Sequence, residues 1–295
     1  MTPRHEHPRE GTDRTRLAPV LTAATADLAA AGVSSPRVDA ELLVAHVLGV
    51  PRGRLLLIDS IRAAEVDRFR ELVTRRARRI PLQHLLGTAA FRYVELAVGD
   101  GVFVPRPETE LLAGWGVART DPGAVVVDLC SGSGAIAVSI ADETKAGRVI
   151  AVERSPAALT WLRRNTAAHP VIEVVAGDVT DPGLLSELHG AVDVLLCNPP
   201  YVPDGTPVPP EVAGHDPAEA VFGGGDGLTV IRPVIELAAA LLKPGGSVGI
   251  EHDDVHGEAV PALLRADGRF TEVAAHDDLT ERPRYATARR RWETG

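Results

Sequence analysis

The first part of the chain has apolar residues at helical spacing. From Leu17 an Ala-rich segment ends at Gly32, a residue that suits the end of a helix. Ser35 and Pro36 then supply an N-cap and a first helical residue, and Gly49 marks the end of this second helix. The pattern predicts two short amphipathic helices.

A third helix is predicted by apolar residues at steps of three and four positions. They are Val66, Phe69, Val73, Ala77 and Ile80. Arginines crowd the other side, at Arg68, Arg75, Arg76, Arg78 and Arg79. These helices predict a small N-terminal helical-bundle domain over residues 17–80. The arginine face is predicted to be solvated, with a docking surface for an acidic or RNA-bound partner as the alternative.

Two segments flank this domain. Residues 1–16 have no apolar periodicity and are predicted to be a disordered tail. Residues 81–110 are predicted to be a linker with a β-hairpin, because Phe91–Val98 and Val102–Val104 are rich in β-forming residues and flank Gly99–Gly101.

The remaining chain, residues 111–295, alternates short apolar strands with helical stretches. The strands are predicted at Ala124–Leu129, Val149–Val152, Ile172–Val175, Val192–Leu196 and Ser247–Glu251. Such alternation is typical of βαβ units and predicts an α/β domain with a doubly wound, Rossmann-like parallel sheet. Ligands of such sheets bind at the carboxyl ends of the strands.

Composition and charge exclude several classes of protein. A chain of 295 residues with 45% hydrophobic and 24% charged residues is typical of a globular protein. No apolar run is long enough to cross a bilayer, so we expect a cytoplasmic protein without membrane contact. A formal charge of −9 argues against direct nucleic-acid binding. Two cysteines and no zinc-like spacing predict neither a disulfide framework nor a metal site.

A glycine-containing turn follows the first predicted strand of the sheet. Asp128 ends the strand, and Cys130, Ser131, Gly132, Ser133 and Gly134 lead into a helix. Backbone N–H groups at such a turn can approach a nucleotide-like ligand closely. Glu153, at the end of the next strand, can accept hydrogen bonds from the hydroxyl groups of a ribose. A dinucleotide site remains an alternative, because Gly132, Gly134 and Ala137 fit its pattern. The second alternative is a tight turn that binds no ligand.

The fourth strand ends in Asn198, Pro199, Pro200 and Tyr201. Two consecutive prolines lack backbone donors, so the carbonyl groups of this turn act as acceptors without competing N–H groups. The Asn198 oxygen and the Pro199 carbonyl can each accept a hydrogen bond from a planar NH₂ group beside the Tyr201 ring. The tetrapeptide predicts catalysis on an amide or exocyclic amine, and a structural Pro-Pro turn is the alternative. A dehydrogenase has no use for these acceptors.

The Asp-x-x-x-Gly-x-Gly turn resembles the first motif of class I S-adenosylmethionine-dependent methyltransferases. The resemblance implies that Asp128 fixes the methionine part of the cofactor, that Glu153 holds its ribose, and that Asp178 and Val179 lie beside adenine. The loop residues 130–134 and Asn198 complete this expected cofactor site. Cys130 replaces a glycine of that family, and Val179 stands where an aromatic residue is common.

Further segments resemble the PrmC/HemK family of methyltransferases. They are Ser35–Leu43, Pro81–Gly87, Phe103–Glu110, and Glu251 and His252 with Gly257. The resemblance implies that S-adenosylmethionine methylates the N5 amide nitrogen of the glutamine in the Gly-Gly-Gln motif of class 1 peptide chain release factors, with S-adenosylhomocysteine as product. Arg106 is expected to close the substrate pocket with the Asn198–Tyr201 turn, or to form a salt bridge with Glu108 or Glu110.

Two other functions stay open at this point. One is an amino-methyltransferase for a ribosomal-protein glutamine or for a base, at adenine N6 or guanine N2. The other is a cofactor-binding regulator without turnover. We expect a monomer with two free thiols, Cys130 and Cys197, which lie close together because their strands are neighbours. The glycine-rich segment 223–227 is predicted to be a flexible turn.

Overall fold

The structure, a computed structural model, describes residues 13–292. The chain divides into two units, of which the first ends at Leu86 and the second begins at Gly87. The helices are α1 (Leu17–Ala30), α2 (Pro36–Leu48), α3 (Ala63–Ala77), α4 (Leu82–Leu86), α5 (Thr109–Val117), α6 (Ala135–Glu143), α7 (Pro156–Thr166), α8 (Pro210–His215), α9 (Ala218–Val221), α10 (Ile231–Leu241) and α11 (Ala259–Asp267). The strands are β1 (Arg14–Arg16), β2 (Ser60–Arg62), β3 (Thr88–Phe91), β4 (Val94–Ala97), β5 (Val125–Leu129), β6 (Arg148–Glu153), β7 (Ile172–Ala176), β8 (Val192–Cys197), β9 (Leu242–Glu251), β10 (Phe270–Asp277) and β11 (Pro283–Arg290).

The first unit packs α1 to α4 around one apolar core. Leu28, Leu43 and Phe69 are fully buried there, as their helical spacing predicts. The expectation that all the listed arginines are solvated is wrong for Arg76, which is buried and donates to the Asp39 carboxylate at 2.7 Å. A buried guanidinium needs such a partner, and the acid that supplies it lies 37 residues away in sequence.

The predicted boundaries of the first unit change at both ends. The tail prediction is wrong for Arg14–Arg16, which form β1 and pair with β2 in antiparallel register, and residues 1–12 lie outside the described part. Helix α4 contacts α2 and α3, so residues 82–86 belong to the helical unit rather than to the linker. The first boundary is set by the backbone pairing of β1 with β2, and the second by the contacts of the short helix α4 with α2 and α3. Neither segment is long enough to show a clear periodicity of apolar residues.

The hairpin turn lies earlier in the chain than the glycine pattern suggests. Strands β3 and β4 pair with Phe91 opposite Val94, so the turn is at Arg92 and Tyr93 and not at Gly99–Gly101. Arg92 adopts a left-handed backbone with φ of 50°, and its guanidinium donates from Nε and Nη2 to the two Glu143 carboxylate oxygens, each at 2.6 Å. This ion pair holds a turn residue for which glycine is the usual choice.

The second unit contains a seven-stranded sheet in the order β10-β11-β9-β8-β5-β6-β7. Strands β5 to β9 are parallel, and β11 is antiparallel to both of its neighbours. The predicted doubly wound α/β fold with its five parallel strands is confirmed. The last two strands were not predicted, because β10 and β11 mix charged and apolar residues without a clear period.

The register of this sheet brings distant residues to one edge. Leu129 lies opposite Cys197, and Cys197 lies opposite Ile250, so the chain leaves β5, β8 and β9 side by side. Asp128, Asn198 and Glu251 therefore stand at the carboxyl edge of three adjacent strands. None of the helices in the described residues is long and apolar enough to span a membrane.

Candidate active site

A cavity of about 280 Å³ opens at this carboxyl edge of the sheet. Every residue that the sequence predicts for the site lines it, with the exception of Gly134. The sheet thus brings together the turn after β5, the ends of β6 and β7, the tetrapeptide after β8 and Arg106 from the segment before α5.

The turn after β5 is held in an unusual backbone conformation by Glu153. Its carboxylate accepts hydrogen bonds from the backbone N–H groups of Gly132, Arg154 and Ser155, each at 2.8 Å. Gly132 has φ of 55°, and a Cβ on it would meet open space. Cys130 has φ of 58°, the left-handed region that a non-glycine residue seldom adopts. At Gly132 the backbone of the turn therefore borders the cavity with no side chain in between.

Gly134 permits close packing of two helices. It is the N-cap of α6 with φ of 88°, and a Cβ there would lie 2.7 Å from Cδ1 of Leu162 on α7. The glycine permits α6 and α7 to approach each other below the turn. Gly134 is not among the residues that line the cavity, and its contact with the cofactor stays a prediction.

Asp128 is 1% exposed at the end of β5. One carboxylate oxygen accepts from the N–H of Ala137 at 3.1 Å, and Oδ1 has no hydrogen-bond partner within the described residues. Burial raises the pKa of this carboxyl to about 7, although hydrogen bonds from Ser131 and Ala137 oppose the shift. A buried carboxylate with a free oxygen is suited to bind a cationic group.

The far end of the cavity is lined by Asp178 and Val179. The Asp178 carboxylate accepts from the N–H of Thr180 at 2.9 Å and from its hydroxyl at 2.8 Å, and it pairs with Arg154 at 3.3 Å. These hydrogen bonds hold the pKa of Asp178 below its usual value. Val179 is 7% exposed and gives this end an apolar surface.

The tetrapeptide after β8 is fixed by two side-chain hydrogen bonds. Asn198 Nδ2 donates to Thr109 Oγ1 at 3.0 Å, and the Tyr201 hydroxyl donates to Glu251 Oε1 at 3.1 Å. Pro199 and Pro200 between them are buried. The amide of Asn198 thus presents its nitrogen to Thr109 and keeps its oxygen as an acceptor.

Glu251 lies beneath the tetrapeptide and accepts the hydrogen bond of the Tyr201 hydroxyl. It is 1% exposed, and burial raises its pKa to about 7. The neighbouring Thr109 and Tyr201 side chains and the charge of Arg284 act against this rise. Its other oxygen, Oε2, has no hydrogen-bond partner within the described residues.

The glycine-rich segment 223–227 backs the same tetrapeptide. A Cβ on Gly223 would lie 2.6 Å from the Pro200 carbonyl oxygen, and one on Gly227 would lie 2.4 Å from that of Tyr201. The Asp226 carbonyl interacts with Nε2 of His256, which is 6% exposed, at 2.9 Å. The segment that the sequence suggests as a flexible turn is a packed support, because only glycine permits this approach.

Arg106 lines the cavity, but its ion pair is with a residue that the sequence did not indicate. Its guanidinium donates to the carboxylate of Asp216, whose side chain is 1% exposed, and lies 4.6 Å from the centre of the Phe103 ring. The expected salt bridge with Glu108 or Glu110 is wrong. Asp216 lies in the long loop after β8, so the pair ties this loop to the segment before α5.

The two cysteines lie close together, as predicted from their strands. Leu129, which precedes Cys130, pairs with Cys197, and both thiols are free in the structure. Burial raises the pKa of Cys197 well above its usual value, and contact with Cys130 adds to the rise. Cys197 is therefore a neutral thiol at physiological pH.

Comparison with known proteins assigns the chain to a family. Two family models match, the PrmC N-terminal domain over residues 20–87 and the methyltransferase small domain over residues 109–211. A release factor glutamine methyltransferase of Mycolicibacterium smegmatis is 56% identical over 277 residues, which cover 94% of this chain and 98% of that protein. The chain belongs to the family of release factor glutamine methyltransferases.

Two more relatives are similar to this chain over most of its length. The release factor glutamine methyltransferase of Mycobacterium tuberculosis is 48% identical over 93% of this chain and 91% of that protein. A 4-amino-L-phenylalanine/4-methylamino-L-phenylalanine methyltransferase of Streptomyces pristinaespiralis is 39% identical over 88% of this chain and 90% of that protein. Enzymes of this relatedness therefore include one named for a small aromatic amine.

The cavity fits the cofactor of a release factor glutamine methyltransferase, S-adenosylmethionine. The unpartnered oxygen of buried Asp128 complements an ammonium group, and the open space above Gly132 admits a ligand against the backbone. Val179 offers an apolar surface to a flat ring. A charged end, an exposed backbone and an apolar end match the amino acid, ribose and adenine parts of this molecule.

The sequence does not single out Thr109 or Asp216 as site residues. Thr109 is 4% exposed and begins α5 directly after the N-cap residue Glu108. A polar residue at the start of a helix is common, and this position gives no hint of a partner 89 residues away. Asp216 lies in a loop without any motif.

Proposed function

We propose that this protein transfers a methyl group from S-adenosylmethionine to the side-chain N5 of the glutamine in the Gly-Gly-Gln motif of class 1 peptide chain release factors, and that Asn198, Pro199, Pro200 and Tyr201 bind that amide. The observation that carries the proposal is the hydrogen bond from Asn198 Nδ2 to Thr109 Oγ1. Because of this bond, the acceptor oxygen of Asn198 faces away from Thr109. The adjacent part of the cavity wall has no backbone N–H donor at Pro199 and Pro200.

An amide nitrogen is a poor nucleophile because its lone pair is delocalised. When bound, S-adenosylmethionine supplies a methyl group activated by a positively charged sulfur. The glutamine nitrogen forms the new N–C bond as the S–C bond breaks, so positive charge moves onto that nitrogen, which then loses a proton to water. The Asn198 oxygen and the Pro199 carbonyl are fixed acceptors that favour this charge, and Tyr201 places its ring beside it.

The other end of the cavity holds the cofactor in this proposal. Asp128 binds the ammonium group, and the turn residues Cys130, Ser131, Gly132 and Ser133 lie along the amino acid part. Glu153 already accepts three backbone N–H groups, and a carboxylate has about four acceptor positions, so one remains for a ribose hydroxyl. Asp178 and Val179 lie beside the adenine.

Arg106 has a positioning role in this account. Its ion pair with Asp216 holds the segment before α5 against the loop after β8, so that both border the place of the glutamine. The partner is a protein, and the net charge of −9 disfavours direct binding to RNA. A translation factor as substrate implies a cytoplasmic reaction, and we expect the enzyme to act as a monomer.

The proposal is tested by following the label from methyl-labelled S-adenosylmethionine. The acceptors are a class 1 release factor, the same factor with the Gly-Gly-Gln glutamine changed to glutamate, ribosomal RNA, a ribosomal protein fraction and 4-amino-L-phenylalanine. We expect label only in the unaltered release factor, at that glutamine. Label in the glutamate variant, or a faster reaction with any other acceptor, contradicts the proposal.

A further inference from the structure

Asn165, in the last turn of α7, joins two segments that are far apart in the sequence. Its side-chain Oδ1 accepts from the backbone N–H of Ala97 at 2.8 Å, and its Nδ2 donates to the Ala97 carbonyl at 3.0 Å. The same Nδ2 donates to the carbonyl of Ser133 at 2.9 Å. Ala97 ends β4, and Ser133 belongs to the turn that borders the cavity. One side chain therefore connects the β3–β4 hairpin to the cofactor turn.

Ala97 fixes the direction of the Asn165 amide. The N–H of Ala97 needs an acceptor and its carbonyl needs a donor, and both groups face Asn165. A half-turn of the amide would place donor against donor and acceptor against acceptor. The NH₂ group of Asn165 therefore has one orientation, in which one proton binds Ala97 and the other is directed at Ser133.

The packing of α7 against the turn brings Asn165 within reach of Ser133. Leu162 and Thr166 lie on the same side of the helix, and a Cβ on Gly134 would lie 2.7 Å from Leu162 Cδ1 and 3.7 Å from Thr166 Cγ2. Because Gly134 has no side chain, the end of α7 approaches the turn closely. Ser133 is 3% exposed, so its hydrogen bond with Asn165 is shielded from water.

The bond with Asn165 acts on the part of the turn that is left for a ligand. Three of the four backbone N–H groups of residues 131–134 donate within the protein. The N–H of Ser133 has no partner within the described residues, and Ser133 borders the cavity. An N–H group in this position is available to a ligand. Because Asn165 holds the Ser133 carbonyl, the backbone at Ser133 is restrained before any ligand binds.

We propose that Asn165 is a positioning residue for the cofactor, which uses β4 as a support to hold the turn 130–134 in the shape that binds S-adenosylmethionine. The inference rests on the proposed cofactor site. Asn165 itself is not among the residues that line the cavity, so it acts through Ser133. Without Asn165 the turn has to be ordered when the cofactor binds, and this ordering lowers the affinity.

The test compares two variants with a matched control on the same helix. Asn165→Leu keeps a similar shape and removes all three hydrogen bonds, and Asn165→Asp keeps the acceptor for Ala97 and removes both donors. Trp161→Phe, the control, removes a hydrogen bond from α7 to the Asp100 carbonyl at 3.1 Å and none to the turn. Calorimetry should find the affinity for S-adenosylhomocysteine about fivefold to thirtyfold lower in both Asn165 variants. In Trp161→Phe it should stay within about twofold.

Thermal unfolding separates positioning from a general loss of stability. Changes at Asn165 and at Trp161 should both lower the melting temperature, because each removes a contact of α7, and only the changes at Asn165 should lower cofactor affinity. With saturating S-adenosylmethionine, single-turnover methylation by the Asn165 variants should come within about threefold of the unaltered enzyme.

Three results overturn the proposal. They are an unchanged affinity in the Asn165 variants, an equal loss of affinity in Trp161→Phe, and a rate in the Asn165 variants that stays low at every cofactor concentration. If Asn165→Leu does not fold, Asn165→Asp decides.

The proposed function is tested separately, because binding of S-adenosylhomocysteine needs no release factor. If the unaltered protein binds S-adenosylhomocysteine and methylates no release factor, the proposed function is contradicted, and the affinities still decide the role of Asn165. If the protein methylates a release factor and the Asn165 variants bind cofactor normally, only the positioning role is contradicted.

Discussion

The two ends of the active-site cavity are built in different ways. The cofactor end is built around one backbone turn, residues 130–134, and Glu153 accepts the N–H of Gly132 in this turn and two further backbone N–H groups. The acceptor end depends on side chains from distant parts of the chain. Asn198 is held by Thr109, 89 residues away, and Tyr201 by Glu251, 50 residues away.

This difference separates two tasks. A backbone turn can bind one invariant molecule, because the cofactor is the same in every reaction cycle and its contacts need no fine direction. The acceptor end must direct individual lone pairs at a nitrogen on another protein, and side-chain hydrogen bonds supply that direction. We therefore expect changes at one end to leave the task of the other end largely intact.

The largest expected effect is at the acceptor end. Asn198→Ala should lower the rate of methyl transfer by about a hundredfold or more, because a fixed acceptor for the reacting nitrogen is lost. Affinity for S-adenosylhomocysteine, measured by calorimetry, should stay within a few-fold of the unaltered enzyme. A rate close to normal would remove Asn198 from the reaction.

The cofactor end should respond to the loss of Glu153. Glu153→Ala leaves three backbone N–H groups and a ribose hydroxyl without their acceptor, so binding of S-adenosylhomocysteine should weaken by about 1–3 kcal/mol. Glu173→Ala on the next strand is a matched control, because Glu173 pairs only with Arg148 at the surface, and calorimetry should find its affinity unchanged. Equal affinities for both variants would assign the ribose to another residue.

The pair of Arg106 and Asp216 tests whether the acceptor end depends on its long loop. Arg106→Ala removes the ion pair with the buried Asp216 carboxylate and should lower the free energy of unfolding by about 1–2 kcal/mol. Asp216→Asn in the same protein should recover part of this loss, as a double-mutant cycle measured by urea unfolding would detect. Additive effects of the two changes would mean that the residues do not interact.

The two ends should also differ in their response to pH. The pKa of Asp128 is raised to about 7, so its carboxylate is protonated as the pH falls through that value and loses its attraction for an ammonium group. Between about pH 8 and pH 6 the affinity for S-adenosylhomocysteine should fall by up to about tenfold. Asp128→Asn should bind more weakly at the higher pH and show little dependence on pH. Glu251 has a similar pKa at the acceptor end, so Glu251→Gln should keep the pH dependence of cofactor binding.

The smallest expected effect concerns the cysteines. Cys130 and Cys197 lie in neighbouring strand ends, and we expect both to remain free thiols in a reducing environment. Mass spectrometry of alkylated protein should give the same mass with and without prior reduction, and methyl transfer should be equal. A mass lower by two protons that reverses with reductant and follows activity would make the pair a redox switch.

The parts of the fold that the sequence predicts well are those with local signals. Val125–Leu129 and Val192–Cys197 are apolar apart from one aspartate each and are followed by special turns, and such runs form buried parallel strands. Strands β10 and β11 could not be predicted, since their side chains face partly polar surroundings and the pairing of β11 with β9 stabilises them. The hairpin turn at Arg92 was missed for a similar reason, because a distant carboxylate stabilises it.

The same division applies to the site. The residues proposed to contact the cofactor follow from a motif, and the role proposed for Asn198 follows from the chemistry of the two prolines after it. Thr109 and Asp216 could not be predicted, because their importance comes from partners that only the folded sheet brings within hydrogen-bond distance. Gly134 fits the motif but is not among the residues that line the cavity, and the packing of α6 against α7 requires a glycine there.

The most direct test of the division is to measure Glu153→Ala and Asn198→Ala together, in single-turnover methylation of a release factor over a range of cofactor concentrations. Glu153→Ala should need more S-adenosylmethionine and then approach the rate of the unaltered enzyme. Asn198→Ala should bind cofactor normally and stay about a hundredfold slower at every concentration. Recovery of Asn198→Ala at high cofactor, or a permanent loss of rate in Glu153→Ala, would contradict the assignment of the two ends.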